Sequence, residues 1–561
     1  MSIYDSFATV WERMADATPD APAVVQGERR LRWADADDRA ARLAAALEAA
    51  GAGAGSHIAL YQYNAPEYME CLFACSKLRA VPVNVNFRYL EDELAYLIDN
   101  ADAEVLVYHR QLAPHVAATR DRMPGIHTFV EIDDDSGEPR MAETVVDGAL
   151  DYEEVLAAHA PAPRIERSGD DQLLWYTGGT TGMPKGVIWK QGTLMSHGLV
   201  AAYAIQPDQP SVATTIDAMV ADVQQWRERG TSISPLVTTP LVHATAVHQA
   251  NTAFCVGGTI VLLERGRIDG DVVCATIERE RPNVLQVVGD TIVRRVVRAL
   301  ESAEARGAPY DISSIRRIHN SGAMVSAEMK DAMLTRGQMH VYDSLGSSEA
   351  VGFGIAVTRE TGEAETARFR LGPNARLIDA DDHDIAAGSG IAGVLAVRNS
   401  TSEGYYNDPA RNAVTFREID GERYVIPGDW ALLEADGTLT LLGRGSNCIN
   451  TGGEKVWPEE VEESLKEHPA VADAAVLGIP NEEWGEIVGA VVSLTAGAGD
   501  VTPDDLSQWV AGRLAHYKRP RNLVVVDEVR RTTVGKVDYE WARTTLSGPN
   551  WRQFSWDSQV D

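Results

Sequence analysis

A run of threonines and glycines that ends in one lysine is the part of the sequence best suited to chemistry. It reads Trp175-Tyr-Thr-Gly-Gly-Thr-Thr-Gly-Met-Pro-Lys-Gly-Val187. Glycines let backbone N–H groups converge on an anion, threonine hydroxyls add donors, and Lys185 adds positive charge, which together are typical of a nucleotide polyphosphate site. The run differs from the common P-loop, in which Gly-Lys-Ser/Thr opens a helix, because Gly186 follows the lysine here. For a generic Gly/Thr run, a flexible surface loop is the alternative interpretation.

The complete run resembles the signature of the acyl-adenylate-forming superfamily, which includes AMP-forming acyl-CoA ligases, luciferases and peptide-synthetase adenylation domains. That signature normally reads Tyr-Thr-Ser-Gly-Thr-Thr-Gly-x-Pro-Lys-Gly. The resemblance implies that the run binds the phosphates of ATP, through Thr177, Gly178, Gly179, Thr180, Thr181, Gly182 and Lys185.

Other segments of the same family follow in the family's order. Pro240-Leu-Val-His243 resembles the segment whose histidine or aromatic residue lines the acyl pocket, and Asn320-Ser-Gly-Ala323 resembles the turn that stacks on adenine. In Asp343-Ser-Leu-Gly-Ser-Ser-Glu349 the resemblance implies that Ser348 lies beside the phosphate and that Glu349 binds Mg²⁺. The nucleotide contacts implied by these two turns are Ser321, Gly322, Ala323, Asp343, Ser344, Leu345, Gly346, Ser347 and Ser348.

Three charged residues complete the implied ATP site. Asp429 in Pro427-Gly-Asp-Trp430 resembles the aspartate that accepts hydrogen bonds from both ribose hydroxyls, a geometry that suits a carboxylate. Arg444 resembles the arginine that also holds the ribose and phosphate, and Lys536 in Gly535-Lys536 resembles the catalytic lysine. The implied catalytic group is Lys536, Glu349, Thr177, Lys185 and His243.

The resemblance also predicts the domain organisation. It implies an adenylation domain at 1–445, a small mobile α+β lid domain at 446–545 with a hinge at Ser446-Asn447, and a polar tail at 546–561. Within the lid, Gly452, Gly453 and Glu454 resemble the block that meets the pantetheine arm of CoA, an assignment compatible with a plain hairpin turn. The implied mechanism has two steps: Lys536 serves adenylation, and the lid then rotates to present its glycine face for thioester formation.

Three positions depart from the commonest family pattern. Gly178 replaces a loop serine, Leu345 replaces an aromatic residue near adenine, and Asn447 replaces a hinge aspartate. Together with the block around Gly453, these variants resemble actinobacterial-type acyl-CoA synthetases that act on steroid side-chain and other bulky polycyclic acids. They also leave two alternatives open: a half-reaction enzyme that only converts a supplied acyl-adenylate to acyl-CoA, and a non-catalytic binding relative. The retained Lys536 and Glu349 argue against the second alternative.

Composition is consistent with a large globular enzyme. The chain has 561 residues, of which 45% are hydrophobic and 24% charged, enough for two or three packing units. A net charge of −31 argues against nucleic acid or an anionic membrane as the main partner. Five cysteines without metal spacing indicate a reduced, cytoplasmic protein, and no apolar run predicts a signal peptide or membrane span. The implied small-molecule partners are a carboxylic acid or acyl-adenylate, ATP with Mg²⁺, and CoA, and the family is compatible with a homodimer.

Helical and strand patterns alternate along the chain, which predicts an α/β fold with stacked mixed sheets under helices. Strand patterns cover 57–63, 103–108, 259–263 and 283–288, and helical patterns cover 39–50, 65–78, 217–227 and 290–305. The Gly51-Ala-Gly-Ala-Gly55 run follows a helix and lacks dinucleotide-binding spacing, so it is interpreted as a helix stop.

Overall fold

The structure is a computed structural model. It describes residues 5–133, 145–177, 183–206, 211–264, 268–322, 325–360, 368–399, 401–444, 449–456, 458–495, 497–498, 501–530, 538–548 and 552–553. The loop Gly178–Gly182, Ala323, the hinge Ser446-Asn447, Lys536 and the side chain of Arg444 lie outside the described part.

The described chain forms many short strands. They are β1 Pro22–Gln26, β2 Arg29–Arg32, β3 His57–Tyr61, β4 Val81–Val85, β5 Val105–His109, β6 Thr128–Ile132, β7 Leu150–Asp151, β8 Gln172–Thr177, β9 Lys185–Lys190, β10 Pro235–Val237, β11 Ile260–Leu262, β12 Val284–Val287, β13 Arg317–Ser321, β14 His340–Leu345, β15 Gly354–Thr358, β16 Arg368–Leu371, β17 Ala375–Ile378, β18 Ala392–Val397, β19 Gly404–Tyr405, β20 Phe416–Ile419, β21 Glu422–Val425, β22 Asp429–Leu433, β23 Thr438–Arg444, β24 Ile449–Thr451, β25 Glu454–Val456, β26 Val471–Asn481, β27 Gly485–Leu494, β28 Asn522–Val526 and β29 Arg552–Gln553.

Helices alternate with these strands through most of the chain. They are α1 Phe7–Ala17, α2 Trp33–Ala49, α3 Pro66–Leu78, α4 Glu91–Asn100, α5 Ala113–Thr119, α6 Tyr152–Ala158, α7 Gln191–Tyr203, α8 Ile216–Glu228, α9 Ala244–Phe254, α10 Gly270–Glu280, α11 Gly289–Ala305, α12 Ala327–Leu334, α13 Pro409–Thr415, α14 Pro458–Lys466, α15 Pro503–Ala511 and α16 Tyr539–Leu546.

Three sheets organise these elements. The first has the order β2-β1-β11-β10-β12-β13-β14-β15-β16-β23-β22-β18-β21-β20, with β17 beside β18, and the second has the order β19-β9-β8-β4-β3-β5-β6-β7. Strands β10 to β14 of the first sheet pair in parallel, so their carboxyl ends share one edge, where ligand sites of α/β folds commonly form.

The first two sheets enclose a central layer of helices. Helices α1, α2, α3, α7, α8 and α9 form one large apolar core between the inner faces of the two sheets. The outer face of the second sheet is covered by α4 and α5, and that of the first sheet by α10, α11 and α12. Because helix layers cover the central strands on both faces, apolar residues of these strands are buried on either side.

The third sheet is built from the C-terminal part of the chain. Its order is β25-β24-β27-β28-β29, with β26 beside β27, and α14 and α15 pack on it. This smaller α+β unit beside the large one confirms the predicted fold class. The exact boundary at 445/446 falls outside the described residues and stays a prediction.

Most of the element predictions agree with the structure within a few residues. The predicted helix at 217–227 is α8, and that at 290–305 is α11. Gly51 follows α2 with a φ of +99°, a conformation that ends a helix and favours glycine. No helix of the described residues is long and apolar enough to cross a membrane.

Candidate active site

The predicted phosphate loop closes a β-hairpin. Thr177 is the last residue of β8 and Lys185 is the first residue of β9, and the two are paired across the antiparallel ladder. The loop 178–182 therefore connects two strands, whereas a P-loop connects a strand to a helix. Thr177 and Lys185 therefore lie next to each other at the base of the loop, where both can contact one anion.

The predicted adenine and phosphate turns lie at the carboxyl ends of β13 and β14. Ser321 pairs with Ser344 in the parallel ladder, and Gly322 follows with a φ of +91°. Asp343 is buried behind this edge, where its carboxylate contacts Lys330 Nζ at 2.7 Å and accepts a hydrogen bond from Asn320 Nδ2 at 2.7 Å. In this position Asp343 supports the ends of both strands.

Ser347, Ser348 and Glu349 form the next turn. Ser347 Oγ accepts hydrogen bonds from the backbone N–H groups of Glu349 and of the next residue, both at 3.2 Å, which fixes the turn. The carbonyl of Ser348 accepts a hydrogen bond from Trp189 Nε1 at 2.8 Å, which ties the turn to β9. The two predicted phosphate-binding segments are thus joined directly.

Burial and one short hydrogen bond hold the Glu349 carboxylate in place. It is buried, and its Oε1 accepts a hydrogen bond from the hydroxyl of Tyr405 at 2.7 Å. Burial and this neighbouring carboxylate raise the pKa of Tyr405, so the tyrosine stays a hydrogen-bond donor. A carboxylate held in one orientation is a hard oxygen ligand, and the residue therefore fits a Mg²⁺ ion that also binds ATP oxygens.

The two residues predicted to hold the ribose are cross-strand neighbours. Asp429 opens β22 and Arg444 closes β23, and the two are paired directly in the antiparallel ladder. Asp429 is half-buried at the start of its strand. Its carboxylate offers two hydrogen-bond acceptors, which suits a sugar diol, and the ribose role of both residues stays a prediction.

A buried ion pair joins the third sheet to the predicted acyl site. Glu454, the first residue of β25, contacts Arg88 Nη1 at 2.5 Å and His243 Nε2 at 2.9 Å. Burial opposes the charge of Glu454, but His243 and Arg88 outweigh it and lower the pKa of the carboxyl to about 2. His243 directly precedes α9, so the contact fixes Glu454 at the N-terminus of that helix.

Gly452 and Gly453 form the turn before Glu454, and both are closely packed. Gly452 and Gly453 have φ values of +58° and +87°, which favour glycine. A Cβ on Gly453 would lie 2.9 Å from Cγ1 of Val288, and one on Gly452 would lie 2.6 Å from the ring of Trp484. The predicted CoA-facing turn therefore lies against Val288, at the carboxyl end of β12.

Comparison with known proteins identifies the family. The AMP-binding enzyme family matches residues 11–406, and the AMP-binding enzyme C-terminal domain matches residues 460–536. The chain belongs to the AMP-binding enzyme family. Within it, the chain is 37% identical over 548 residues to a 3-oxocholest-4-en-26-oate–CoA ligase of Rhodococcus rhodochrous, covering 96% of this chain and 95% of the relative. It is also 37% identical over 552 residues to medium-chain acyl-CoA ligase Mig of Mycobacterium avium, covering 95% and 97%.

Solved structures show the same fold. The amide bond synthetase McbA from Marinactinospora thermotolerans aligns with a TM-score of 0.75 at 24% identity, covering 96% of this chain and 99% of that one. The o-succinylbenzoate CoA synthetase MenE of Bacillus subtilis aligns with a TM-score of 0.74 at 22% identity, covering 97% and 99%. These matches show the fold alone. The sequence relatives, which are named as CoA ligases, confirm the prediction of an AMP-forming acyl-CoA synthetase and do not favour the half-reaction or non-catalytic alternatives.

The sequence did not indicate the two basic residues that join the C-terminal unit of this AMP-binding enzyme to the large unit. Arg88 carries no motif in the sequence. Lys518 lies in the segment Tyr517-Lys-Arg-Pro520, which resembles a sequence block of the family. The segment does not indicate which residues pair with Lys518. Its ammonium group is completely buried and contacts Glu93 at 2.7 Å and Glu460 at 2.6 Å, so it joins the third sheet to α4.

Proposed function

We propose that this ligase activates a bulky, polycyclic or long-chain carboxylic acid with ATP, through an acyl-AMP intermediate, and transfers the acyl group to CoA. The proposal takes its substrate class from the relatives, whose names include a steroid acid CoA ligase and medium- and long-chain acyl-CoA ligases. The homodimer and the cytoplasmic location stay predictions of the sequence.

The observation that carries the proposal is the contact of the Gly452-Gly453 turn with Val288. Glu454 anchors this turn through His243. A Cβ on Gly322 would lie 3.7 Å from the same Val288 Cγ1. A thiol arm guided along two residues without side chains would arrive where β12 and β13 end. This arrangement supports thioester formation at the carboxyl edge of the first sheet.

The adenylation step is assigned to the other half of the site. A carboxylate attacks the α-phosphorus of ATP and displaces pyrophosphate. The negative charge that develops on the phosphoryl oxygens would be stabilised by the donors of Thr177 to Thr181, by Lys185 and by Lys536. Mg²⁺, when bound, would be held by Glu349 and would neutralise part of that charge. Asp429 and Arg444 would orient the ribose.

The domain arrangement suggests how one small domain serves both steps. The Gly453 turn lies against Val288, which supports assigning the orientation seen in the structure to thioester formation. We propose that the small domain rotates about Ser446-Asn447 to bring Lys536 to the phosphates for adenylation. If Lys536→Ala slowed thioester formation from preformed acyl-AMP as much as the complete reaction, this division of labour would be wrong.

The proposal is tested by measuring AMP and acyl-CoA with ATP, Mg²⁺ and CoA against acetate, palmitate, and steroid and diterpenoid carboxylic acids. We expect AMP release and the highest kcat/KM with a polycyclic or long-chain acid. ATP/pyrophosphate exchange with labelled pyrophosphate measures adenylation separately. Turnover of a synthetic acyl-adenylate without any exchange would overturn the proposal in favour of the half-reaction enzyme.

A further inference from the structure

A polar cluster lies on the inner face of the first sheet, behind the nucleotide edge. Ile318 and Val341 pack into the outer core with α10, α11 and α12. Because side chains alternate along a strand, Arg317 and His319 on β13 and Tyr342 on β14 face the central helices instead. His319 and Tyr342 are paired directly in the ladder, and both are only partly buried.

Two histidines of the central helices face this part of the sheet. His197 of α7 and His248 of α9 have ring centroids 6.0 Å apart, and His248 is close enough to His319 to influence its ionisation. Burial lowers the pKa of His197 to about 3 and of His248 to about 4, and it lowers that of His319 as well. All three rings are therefore neutral at pH 7, and each one offers an N–H donor.

Arg317 is the least satisfied group of the cluster. Only 7% of the residue is exposed, and its guanidinium lies over the ring of Tyr342 at 3.5 Å from the centroid. Its Nε and Nη1 are covered and have no hydrogen-bond partner, and no carboxylate of the described residues forms a salt bridge with it. Burial lowers the pKa of Arg317 to about 10, so it is a cation at pH 7. A buried cation without an acceptor is unfavourable, and an oxygen atom supplied by a ligand would relieve it.

The length of β13 sets the distance between Arg317 and the nucleotide edge. Ser321 and Gly322 end the strand at the nucleotide edge, and Arg317 begins it four residues before Ser321. At about 3.3 Å per residue, Arg317 lies about 13 Å from that edge. An acid whose carboxyl group reacts at the edge would reach the cluster with the opposite end of its skeleton.

We propose that Arg317, His197, His248, His319 and Tyr342 form a distal polar pocket that selects acids carrying a carbonyl or carboxylate oxygen at the end remote from the reacting carboxyl group. This inference rests on the proposed function and specifies its substrate class. The guanidinium and the imidazole N–H groups donate to the distal oxygen, while the skeleton between the two ends lies along the sheet. An acid that ends in a methyl group leaves these donors unsatisfied, so the pocket discriminates against it.

The test compares acids of equal chain length that end in a methyl group, a ketone or a second carboxylate. We expect the wild-type protein to prefer an acid with a distal oxygen by about tenfold or more in kcat/KM. Arg317→Met keeps the length of the side chain and removes its donors, so it should abolish the preference and leave the methyl-terminated acid within about threefold of the wild type. The ketone and carboxylate arms distinguish a neutral from an anionic distal group.

Two further variants control the test. Arg316→Met removes the exposed neighbouring arginine, whose side chain lies outside the cluster, and should leave the preference unchanged. His319→Leu removes one imidazole donor and should reduce the preference, which keeps the test informative if Arg317→Met folds poorly. The inference is overturned if the wild type turns over all three acids equally, or if Arg317→Met folds and retains the preference. Absence of turnover with every acid would instead overturn the proposed function, and the inference with it.

Discussion

We expect the replacement of Glu454 by glutamine to separate the two half-reactions. Glu454 is 11% exposed at its side chain and joins the C-terminal sheet to Arg88 and His243 of the large domain. Glutamine keeps the shape but removes the charge that both partners stabilise. If the small domain rotates between the two steps, this ion pair stabilises only the orientation seen in the structure.

The size of the effect follows from the ionisation of the carboxyl group. The pKa of Glu454 falls from an ordinary 4.5 to about 2. At about 1.4 kcal/mol per pH unit, its contacts stabilise the ionised carboxylate by about 3 kcal/mol. Since glutamine retains a neutral hydrogen bond, we expect Glu454→Gln to slow thioester formation by between about tenfold and a hundredfold. A lowered pKa of Glu454 stabilises this orientation fully above pH 4.5 and loses that effect as the pH falls towards 2, so the effect of Glu454→Gln should weaken below pH 4.5.

The assay measures thioester formation from preformed acyl-AMP and CoA, and ATP/pyrophosphate exchange, with the same preparation. Exchange should stay unchanged or increase, because adenylation needs the other orientation. Glu483→Gln is the matched control: Glu483 also faces the large domain, at 3.5 Å from Arg295, but its side chain is 58% exposed, so its loss should have little effect. An equal loss in both half-reactions, or an unchanged thioester step, would refute the reasoning.

Four other changes test the site and its interface. Gly453→Ala should slow thioester formation and leave exchange unchanged, because its Cβ would lie 2.9 Å from Val288. Adding Val288→Ala to this variant removes the clash and should restore part of the rate. The rescue should be incomplete because alanine at position 453 keeps a strained positive φ. Asp429→Ala should raise the KM for ATP by about tenfold to a hundredfold, the equivalent of a charged hydrogen bond, in steady-state kinetics; an unchanged KM would exclude the ribose role. Lys518→Met should cost about 3–5 kcal/mol in the free energy of unfolding, because it leaves buried carboxylates uncompensated. Burial raises the pKa of Glu460 to about 7. The contribution of Glu460 to the stability of the fold is therefore complete below pH 4.5 and is lost as the pH rises through 7. In Glu460→Gln, this part of the pH dependence of Tm should be absent.

The parts of the site that could be predicted from the sequence are local in the chain or sit at strand ends. Thr177 and Lys185 face each other because one hairpin contains both, and Asp429 and Arg444 are paired because β22 and β23 are consecutive antiparallel strands. The Gly452-Gly453 pair indicates a turn whatever lies around it, since both residues need a positive φ. Such features follow from neighbouring residues alone, so a motif is sufficient to find them.

The parts that could not be predicted depend on contacts between distant residues. Glu454 meets Arg88 across 366 positions, and Lys518 meets Glu93 across 425 positions. Nothing next to Arg88 in the sequence distinguishes it from an exposed arginine, because its partner is supplied by the packing of a different sheet. Arg317 is hidden for the same reason: in the sequence it follows another arginine, and only the alternation of β13 separates the buried side chain from the exposed one.

Strand β13 carries both the nucleotide edge and the proposed distal donors. The carboxyl end of β13 carries Ser321 and Gly322 at the nucleotide edge, and its other end carries Arg317, with His319 between them on the same inner face. Because a strand is nearly inextensible, the separation between the reacting edge and the distal donors is fixed by the backbone and does not depend on side-chain rotamers. Substitutions in the surrounding helices can widen or narrow the space for the acid, but the position at which a distal oxygen is recognised stays set by β13. An acid is therefore selected by the distance between its two ends as well as by its bulk.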